Sequence, residues 1–594
     1  MAGHGAKYAL AVLCRKVFCS SVNRLFLFRN AVWRGPEGRR YCSKRGIRPS
    51  RSNGWGGLLE GRVMALRKLD EAFSGTIELS ASVCIVGAGI AGLVAATRLA
   101  RDKKRRIVVV ESGHGEFKPS GSPLNEIDNP CDSYRGAQTG RSRGLGGTSL
   151  LWAGKLLPLS AQDTQGRPQL DLEGWPFDYA ELERYRQETE DLMGVDSEPY
   201  EESVAEQLDP DRLLPRNDAD FSLRWPKRPT RKNHNLAYVL RKEIQNCENL
   251  EIWLGATVSE FCFDLSGGRI KAITAINHTG RTLRVVASEY LLAAGTLEST
   301  RLLLLADRQS NDSISRDCNA LGRYFNDHLA LSAANLLPRN LTLANLALSD
   351  RYTFGALRHL HFELRPEVQN AHGIASAYFG TSVELPDSSA LSKAKYVVQG
   401  FRRGNLRISC RDMNAILKDS PSLLRTAQWR SVRKQKYWPS NASLTIEIRV
   451  EQLPQWQNRI CLSDQKDALG VPKLRLEWKK TDAEEKVFRL MVGKIDRYWN
   501  EHLAGVCDLE WIPENINSEL RMVDSATDRA HPAGSTRMGI NPLDSVVDPR
   551  LRVHRVPNLS VVSASVFPSS GSANPTLTIM LLAMRAADML ARHN

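Results

Sequence analysis

Two segments near the end of the 594-residue chain carry side chains suited to accepting a proton and orienting a polar group beside it. His531 opens the run His531-Pro532-Ala533-Gly534-Ser535-Thr536-Arg537-Met538-Gly539. Asn574 follows 43 residues after it, in Ser572-Ala573-Asn574-Pro575-Thr576. An imidazole with an ordinary pKa of about 6.5 keeps a neutral, proton-accepting form near neutrality. A carboxamide does not titrate there, so it can hydrogen-bond a substrate oxygen without competing for the proton. If such a base works on a substrate that also loses a carbon-bound hydrogen as hydride, a redox cofactor must stand beside it.

The element that would hold such a cofactor lies at the other end of the chain. Ser82-Val83-Cys84-Ile85-Val86 is a short apolar run, Gly87-Ala88-Gly89-Ile90-Ala91-Gly92 follows at once, and residues 93–101 are rich in helix formers. Ile107-Val108-Val109-Val110 supplies a second buried strand and ends in Glu111, about 20 residues past the glycines, where a dinucleotide site places its ribose-binding acid. Gly87 allows the sharp turn, Gly89 lets the backbone approach a pyrophosphate, and Gly92 lets the helix lie against the sheet. The motif alone fits NAD and FAD equally.

Further segments resemble the glucose-methanol-choline family of flavin oxidoreductases. They are Gly144-Leu145-Gly146-Gly147-Thr148-Ser149-Leu150-Leu151-Trp152-Ala153-Gly154, then Gly174-Trp175-Pro176-Phe177, Ala256-Thr257-Val258, Leu292-Ala293-Ala294-Gly295, Leu321-Gly322-Arg323-Tyr324-Phe325-Asn326-Asp327-His328, and the two runs around His531 and Asn574. The resemblance implies an α/β fold: a Rossmann-like FAD-binding domain built from 80–155, 231–330 and 521–594, and an α+β, sheet-based substrate domain from 156–230 and 331–520. It implies His531 as general base and Asn574 as its partner, with proton abstraction coupled to hydride transfer to the flavin N5. It places Gly146, Gly147, Thr148, Ser149, Val258, Ala294, Gly295, Ala564, Pro575 and Thr576 at the cofactor. Family members with covalent flavin carry a histidine where this chain has Leu151, so FAD is expected to be non-covalent. Ser563 stands where many members have an aspartate, and Ser535 where glycine is commoner.

The implied activity is FAD-dependent oxidation of CH–OH groups, by a dehydrogenase or oxidase, on a sugar, polyol or other small alcohol. The alternatives are steroid or terpenoid alcohol oxidation, or a flavin-binding partner protein without turnover. Composition restricts other classes. The chain is large enough for two domains, and 42% of its residues are hydrophobic. Its net charge of +15 is concentrated in residues 1–64, where thirteen lysines and arginines face only Glu37 and Glu60. That extension has the composition of a mitochondrial presequence, or else translation starts at Met64. The expected location is accordingly cytoplasmic, or the mitochondrial matrix if the extension is a presequence. No groove-reading motif accompanies the basic residues, so no nucleic-acid partner is expected.

Residues 559–584 lack charge over a membrane-spanning length, yet Pro568 and Pro575, with Ser563, Ser565, Ser569, Ser570 and Ser572, predict a strand, a polar loop and a helix instead of a transmembrane segment. The eleven cysteines show no metal-cage or disulfide spacing. His359, His361 and Glu363 alternate as strand neighbours would, but a polar strand beside a cofactor explains them without a metal, and no metal is expected. Alternation in residues 443–450 and 473–478 predicts strands of a mixed or antiparallel sheet roofing the cofactor. The basic and aromatic stretch 425–438 is expected as a loop, an exposed helix or a lid.

Overall fold

The computed structural model describes residues 65–592 except 73–74, 116–121, 131–133, 265–267, 354, 403–413, 415, 418 and 517–518. The basic extension 1–64 lies outside the described residues. The described residues divide into two compact units, one from Val63–Val383 with Leu444–Asn594 and the other from Glu384–Ser443.

The first unit contains two large sheets. Nine strands form one of them, in the order Leu66–Lys68, Leu250–Leu254, Ile107–Glu111, Thr76–Val86, Thr282–Leu292, Val556–Val561 and Arg552–Val553, with Thr257–Phe263 and Ile270–Ile276 folded antiparallel beside Thr282–Leu292. Its centre is parallel, with Val83 opposite Ile107 and Leu559 opposite Tyr290. Every residue of Ile107–Glu111 and of Val83-Cys84-Ile85-Val86 is buried, as strands covered on both faces require. Helix Ile90–Leu99 packs against Thr576–Ala591, and Arg98 donates to both oxygens of Asp588 at 2.5 and 2.9 Å. The uncharged 559–584 stretch is indeed a strand, a short 3-10 turn and the start of this last helix. No helix among the described residues is long and apolar enough to cross a membrane.

The second sheet has seven strands: Cys507–Trp511, His328–Pro338, Ser443–Glu451, Ala377–Glu384, His361–Leu364 and Phe221–Arg224 in order, with Thr527–Asp528 beside His328–Pro338. In Ser443–Glu451 the apolar residues Leu444, Ile446, Ile448 and Val450 are buried on one face. Glu447, Arg449 and Glu451 occupy the other. The expected strand near 473–478 exists as Pro472–Glu477, but it pairs with Arg459–Lys466 in a separate hairpin and not in this sheet. The two sheets cluster as one compact unit, so the boundary expected between cofactor and substrate segments runs inside that unit.

Within Glu384–Ser443, helices Ala390–Arg402 and Ser420–Gln428 share a small core of Ala390, Leu391, Ala394, Ile416 and Leu423. The 425–438 stretch is the end of the second helix, a π-helical turn at Trp429–Arg433 and an extended exit. Its Arg433 and Lys434 are exposed, while Tyr437 and Trp438 are buried.

Candidate active site

The carboxyl ends of the parallel strands open into one cleft of about 500 Å³. Gly87, Gly89, Glu111, Gly147, Thr148, Val258, Ala294, Gly295, Ala564, Pro575 and Thr576 line it, together with His531 and Asn574. Gly92, Gly146 and Ser149 do not: they shape the turns behind it. A Cβ on Gly92 would sit 1.9 Å from the Gly87 carbonyl oxygen, so glycine there lets the helix close on the turn. Gly146 takes φ +95°, and the Ser149 hydroxyl donates to its carbonyl while accepting the Leu236 N–H at 3.1 Å. Glu111 accepts the N–H of Ala88 on one oxygen at 2.8 Å, and those of Gly113 and Gly144 on the other at 2.8 and 2.9 Å. The acid expected at the ribose therefore joins the glycine turns, and its remaining lone pairs are what a ribose would use.

The cleft fits FAD on its own features. A Cβ on Gly89 would meet only Gly147 Cα, at 4.0 Å, and one on Gly295 would meet nothing, so bare backbone faces the open space at both places. Arg141 and Arg143 line the same cleft and, with Arg301, share the single carboxylate of Glu298 at 3.9, 2.9 and 2.6 Å. The surplus positive charge suits a pyrophosphate. Helix Thr576–Ala591 adds its positive N-terminal end. Leu151, also on the wall, has no atom that could bond to a flavin.

His531 and Asn574 meet at this cleft, and a chain of hydrogen bonds sets which imidazole nitrogen is bare. His328 Nε2 lies 2.9 Å from the Gly571 carbonyl oxygen, which only accepts, so that nitrogen carries its hydrogen. His328 Nδ1 is then the acceptor of a neutral ring, and His531 Nδ1 donates to it at 3.0 Å. His531 Nε2 keeps its lone pair and accepts from Asn574 Nδ2 at 3.1 Å. The rings stay neutral because burial pushes His328 down to about 4 and holds His531 well below 6.5, with Arg449, Arg529 and Lys155 adding positive charge near the latter. Asn574 Oδ1 is buried without a partner.

The backbone around the pair is fixed just as tightly. Asp327 accepts the His531 N–H at 3.0 and 2.9 Å, the His328 N–H at 2.6 Å and the Tyr134 hydroxyl. Burial pushes this carboxyl up to about 7, against those hydrogen bonds. Gly534 takes φ +87° under the Tyr324 carbonyl, and its N–H donates to Ala564 O, while Thr536 N–H donates to Ser565 O, zipping the histidine segment onto the strand end. Ser535, in place of a glycine, pairs its hydroxyl with Thr300 at 2.7 Å. On the asparagine side, Glu451 Oε1 accepts the N–H of Ser570 and Gly571 at 3.2 and 2.8 Å while its carboxylate is clamped by Arg167 at 2.6 and 2.8 Å. Ser569, Ser570 and Ser572 each have a buried partner in Asp163 O, Asn326 Oδ1 and Glu363 Oε1.

His359, His361 and Glu363 do not converge. His359 faces Asp350 at 3.0 Å, His361 stacks on Tyr378 and meets Lys155 Nζ at 3.3 Å, and Glu363 pairs with Arg224 at 3.1 Å. The sequence reading missed Asp327 and His328 as functional positions, although both sit in a quoted motif. It also missed Lys155, Arg449 and Arg529 on the cleft wall; the alternation of 443–450 was the available signal for Arg449.

A parallel sheet of Rossmann type carries a paired imidazole and carboxamide at its carboxyl edge, the edge at which such sheets bind their ligands. Residues 454–583 match the GMC oxidoreductase C-terminal domain, and residues 85–116 match an NAD(P)-binding Rossmann-like domain. The fructose dehydrogenase large subunit of Gluconobacter japonicus is 27% identical over 326 residues, 54% of this chain and 50% of that one. The chain thus spans about half the length of that relative. The 2-methyl-1,2-propanediol dehydrogenase of Mycolicibacterium austroafricanum is 24% identical over 488 residues, 75% and 80% of the two chains. Among solved structures, pyridoxine 4-oxidase from Mesorbium loti superposes with a TM-score of 0.54 at 18% identity, covering 86% of this chain and 99% of that one. The chain is thus similar to GMC oxidoreductases, over residues 454–583 in the family match and over most of its length in fold.

Proposed function

We propose that the protein is an FAD-dependent oxidoreductase acting on CH–OH groups, with a sugar, polyol or other small alcohol as substrate. The observation that carries this reading is the bare Nε2 of His531 held against Asn574 at the edge of the cleft. Relatives named as acting on fructose and on 2-methyl-1,2-propanediol support it. Bound FAD supplies the hydride acceptor. His531 accepts the hydroxyl proton at Nε2, in place of the hydrogen it now receives from Asn574. The released Asn574 Nδ2 donates to the substrate oxygen as negative charge grows there. Neutral His328 keeps the other imidazole hydrogen on Nδ1, so the proton has one place to go.

FAD is held without a covalent bond, and segments 80–155, 231–330 and 521–594 form its domain, with 156–230 and 331–520 forming the substrate domain. Purified protein should be yellow, release FAD on denaturation, and bleach anaerobically with an alcohol from a panel of sugars and polyols. His531→Ala should keep its colour and slow flavin reduction by about 10²-fold or more, the scale of a lost general base. An alanine variant reduced as fast as the native protein removes His531 from that role.

A further inference from the structure

We propose that the alcohol oxidised here carries a carboxylate, received by Lys155, Arg449 and Arg529 on the cleft wall that also holds His531. This inference rests on the alcohol-oxidation reading above and specifies its substrate class. All three cations line the cleft with His531 and Asn574, and each acts on the His531 imidazole electrostatically. The two arginines share one acid. Arg529 Nη1 is 3.0 Å from Glu447 Oε1, and Arg449 Nε donates to Oε2 at 2.9 Å, so both oxygens are engaged. Arg449 Nη1 turns instead to the Tyr378 hydroxyl at 3.0 Å. Lys155 has no acid within ion-pairing distance among the described residues, though Asp350 and Glu447 act on it at longer range: its ammonium meets His361 Nε2 at 3.3 Å, a ring nitrogen that must be bare to accept it. The opposite nitrogen, His361 Nδ1, is buried without a partner.

Two arginines on one carboxylate, with Lys155 beside them outside ion-pairing distance of any acid among the described residues, leave excess positive charge facing the space where substrate must lie. An unpaired charge out of water is costly, and burial, with Arg449 nearby, pushes Lys155 down to about 7. A ligand anion removes that cost. A carboxylate fits better than a phosphate ester, because both guanidinium forks are already partly spent on Glu447 and Tyr378. Lys155 keeps the free donors, and a lysine offers a point charge where phosphate recognition favours an open arginine fork.

The test compares donors matched in shape and differing in charge: glycolate, lactate, glycerate and gluconate against ethylene glycol, propylene glycol, glycerol and glucitol, each mixed anaerobically with the holoenzyme while flavin bleaching is followed. The best hydroxy acid should exceed its neutral partner at least about tenfold in reduction rate constant over Kd, as one charge-assisted contact allows. Acetate should compete with it and perturb the flavin absorption without turnover. Lys155→Met should weaken acetate about tenfold and collapse the preference for the acid, and Lys155→Arg should restore both. Arg529→Gln should weaken acetate as well, which guards against a misfolded Lys155 variant. Equal or better reduction by the neutral alcohols overturns the proposal and leaves the enzyme reading intact. Preference for a phosphate ester overturns the carboxylate, and failure of acetate to perturb the flavin overturns the anion site. If no donor of either kind bleaches the flavin, the oxidoreductase reading fails and takes this inference with it.

Discussion

Replacing His328 by leucine tests whether the tautomer of His531 is set by the hydrogen-bond chain that begins at the Gly571 carbonyl. In the native arrangement His531 donates from Nδ1 to His328 at 3.0 Å and so presents a bare Nε2. Leucine removes that acceptor and leaves a buried Nδ1–H unsatisfied, a penalty of about 1–3 kcal/mol on the productive tautomer. The competing tautomer, with its hydrogen on Nε2, has a ready partner: Asn574 Oδ1, unpartnered now, accepts that hydrogen once the amide turns over. The base would then be capped by its own proton. At about 1.4 kcal/mol per tenfold, flavin reduction should slow by about 5- to 150-fold while the cofactor remains bound. His328→Gln should recover most of the rate, because its amide oxygen can accept from His531 and its NH₂ can donate to Gly571. Anaerobic stopped-flow reduction with one neutral alcohol reads all three proteins. If the leucine variant is reduced at the native rate, or if glutamine and leucine are equally slow, the tautomer argument is wrong.

The pH dependence has a defined sign. His531 is held well below 6.5 by burial and by Arg449, Arg529 and Lys155, so its proton-accepting form persists as pH falls through 6.5. The acidic limb of the reduction rate constant with a neutral alcohol should therefore lie below 6.5, and Arg529→Gln, which removes one of those charges, should move it upward; a native limb at or above 6.5 contradicts this. Gly92→Ala should yield protein short of FAD, because its Cβ would stand 1.9 Å from the Gly87 carbonyl oxygen and force the helix off the turn. Gly89→Ala has room in the protein itself, with 4.0 Å to Gly147 Cα, so its fold should survive while FAD affinity falls; full FAD occupancy in both alanine variants would overturn the account of the turn. Arg167→Met leaves Glu451 buried without its cation, costing about 3–5 kcal/mol, and should lower the urea midpoint of flavin release. An unchanged midpoint would mean that the pair does not support the Asn574 loop.

What was legible in the sequence had local causes. The turn after Val86 is written in glycines that backbone geometry requires, and Ile107–Glu111 is apolar because both its faces are covered. The uncharged 559–584 stretch resolved into strand, loop and helix because prolines and serines break it. Ser569, Ser570 and Ser572 in that loop each have a hydrogen-bond partner on a distant segment. Less legible was anything set by a partner far along the chain. Ser149 and Gly146 fall in the right motif, yet they face backward, onto Leu236 and Asn235, a placement no local pattern contains. The hairpin at Pro472–Glu477 has the alternation of a sheet strand; its pairing with Arg459–Lys466 is decided by tertiary contacts.

The cleft wall shows why the cations escaped notice while the His–Asn pair did not. Ser443–Glu451 alternates so that one face is wholly apolar, which identifies a strand but leaves open what its polar face meets. That face carries Glu447, Arg449 and Glu451 in succession, and each does something different. Glu451 is clamped by Arg167 and holds the loop that ends in Asn574; Glu447 joins two arginines; Arg449 faces the cleft. One strand of the second sheet thus steadies the carboxamide at one end and charges the cleft wall two residues away. Because both functions ride on the same rigid ladder, paired at Ala330 with Arg449 and at His328 with Glu451, the strand that brings His328 to the base also fixes where the positive charge stands.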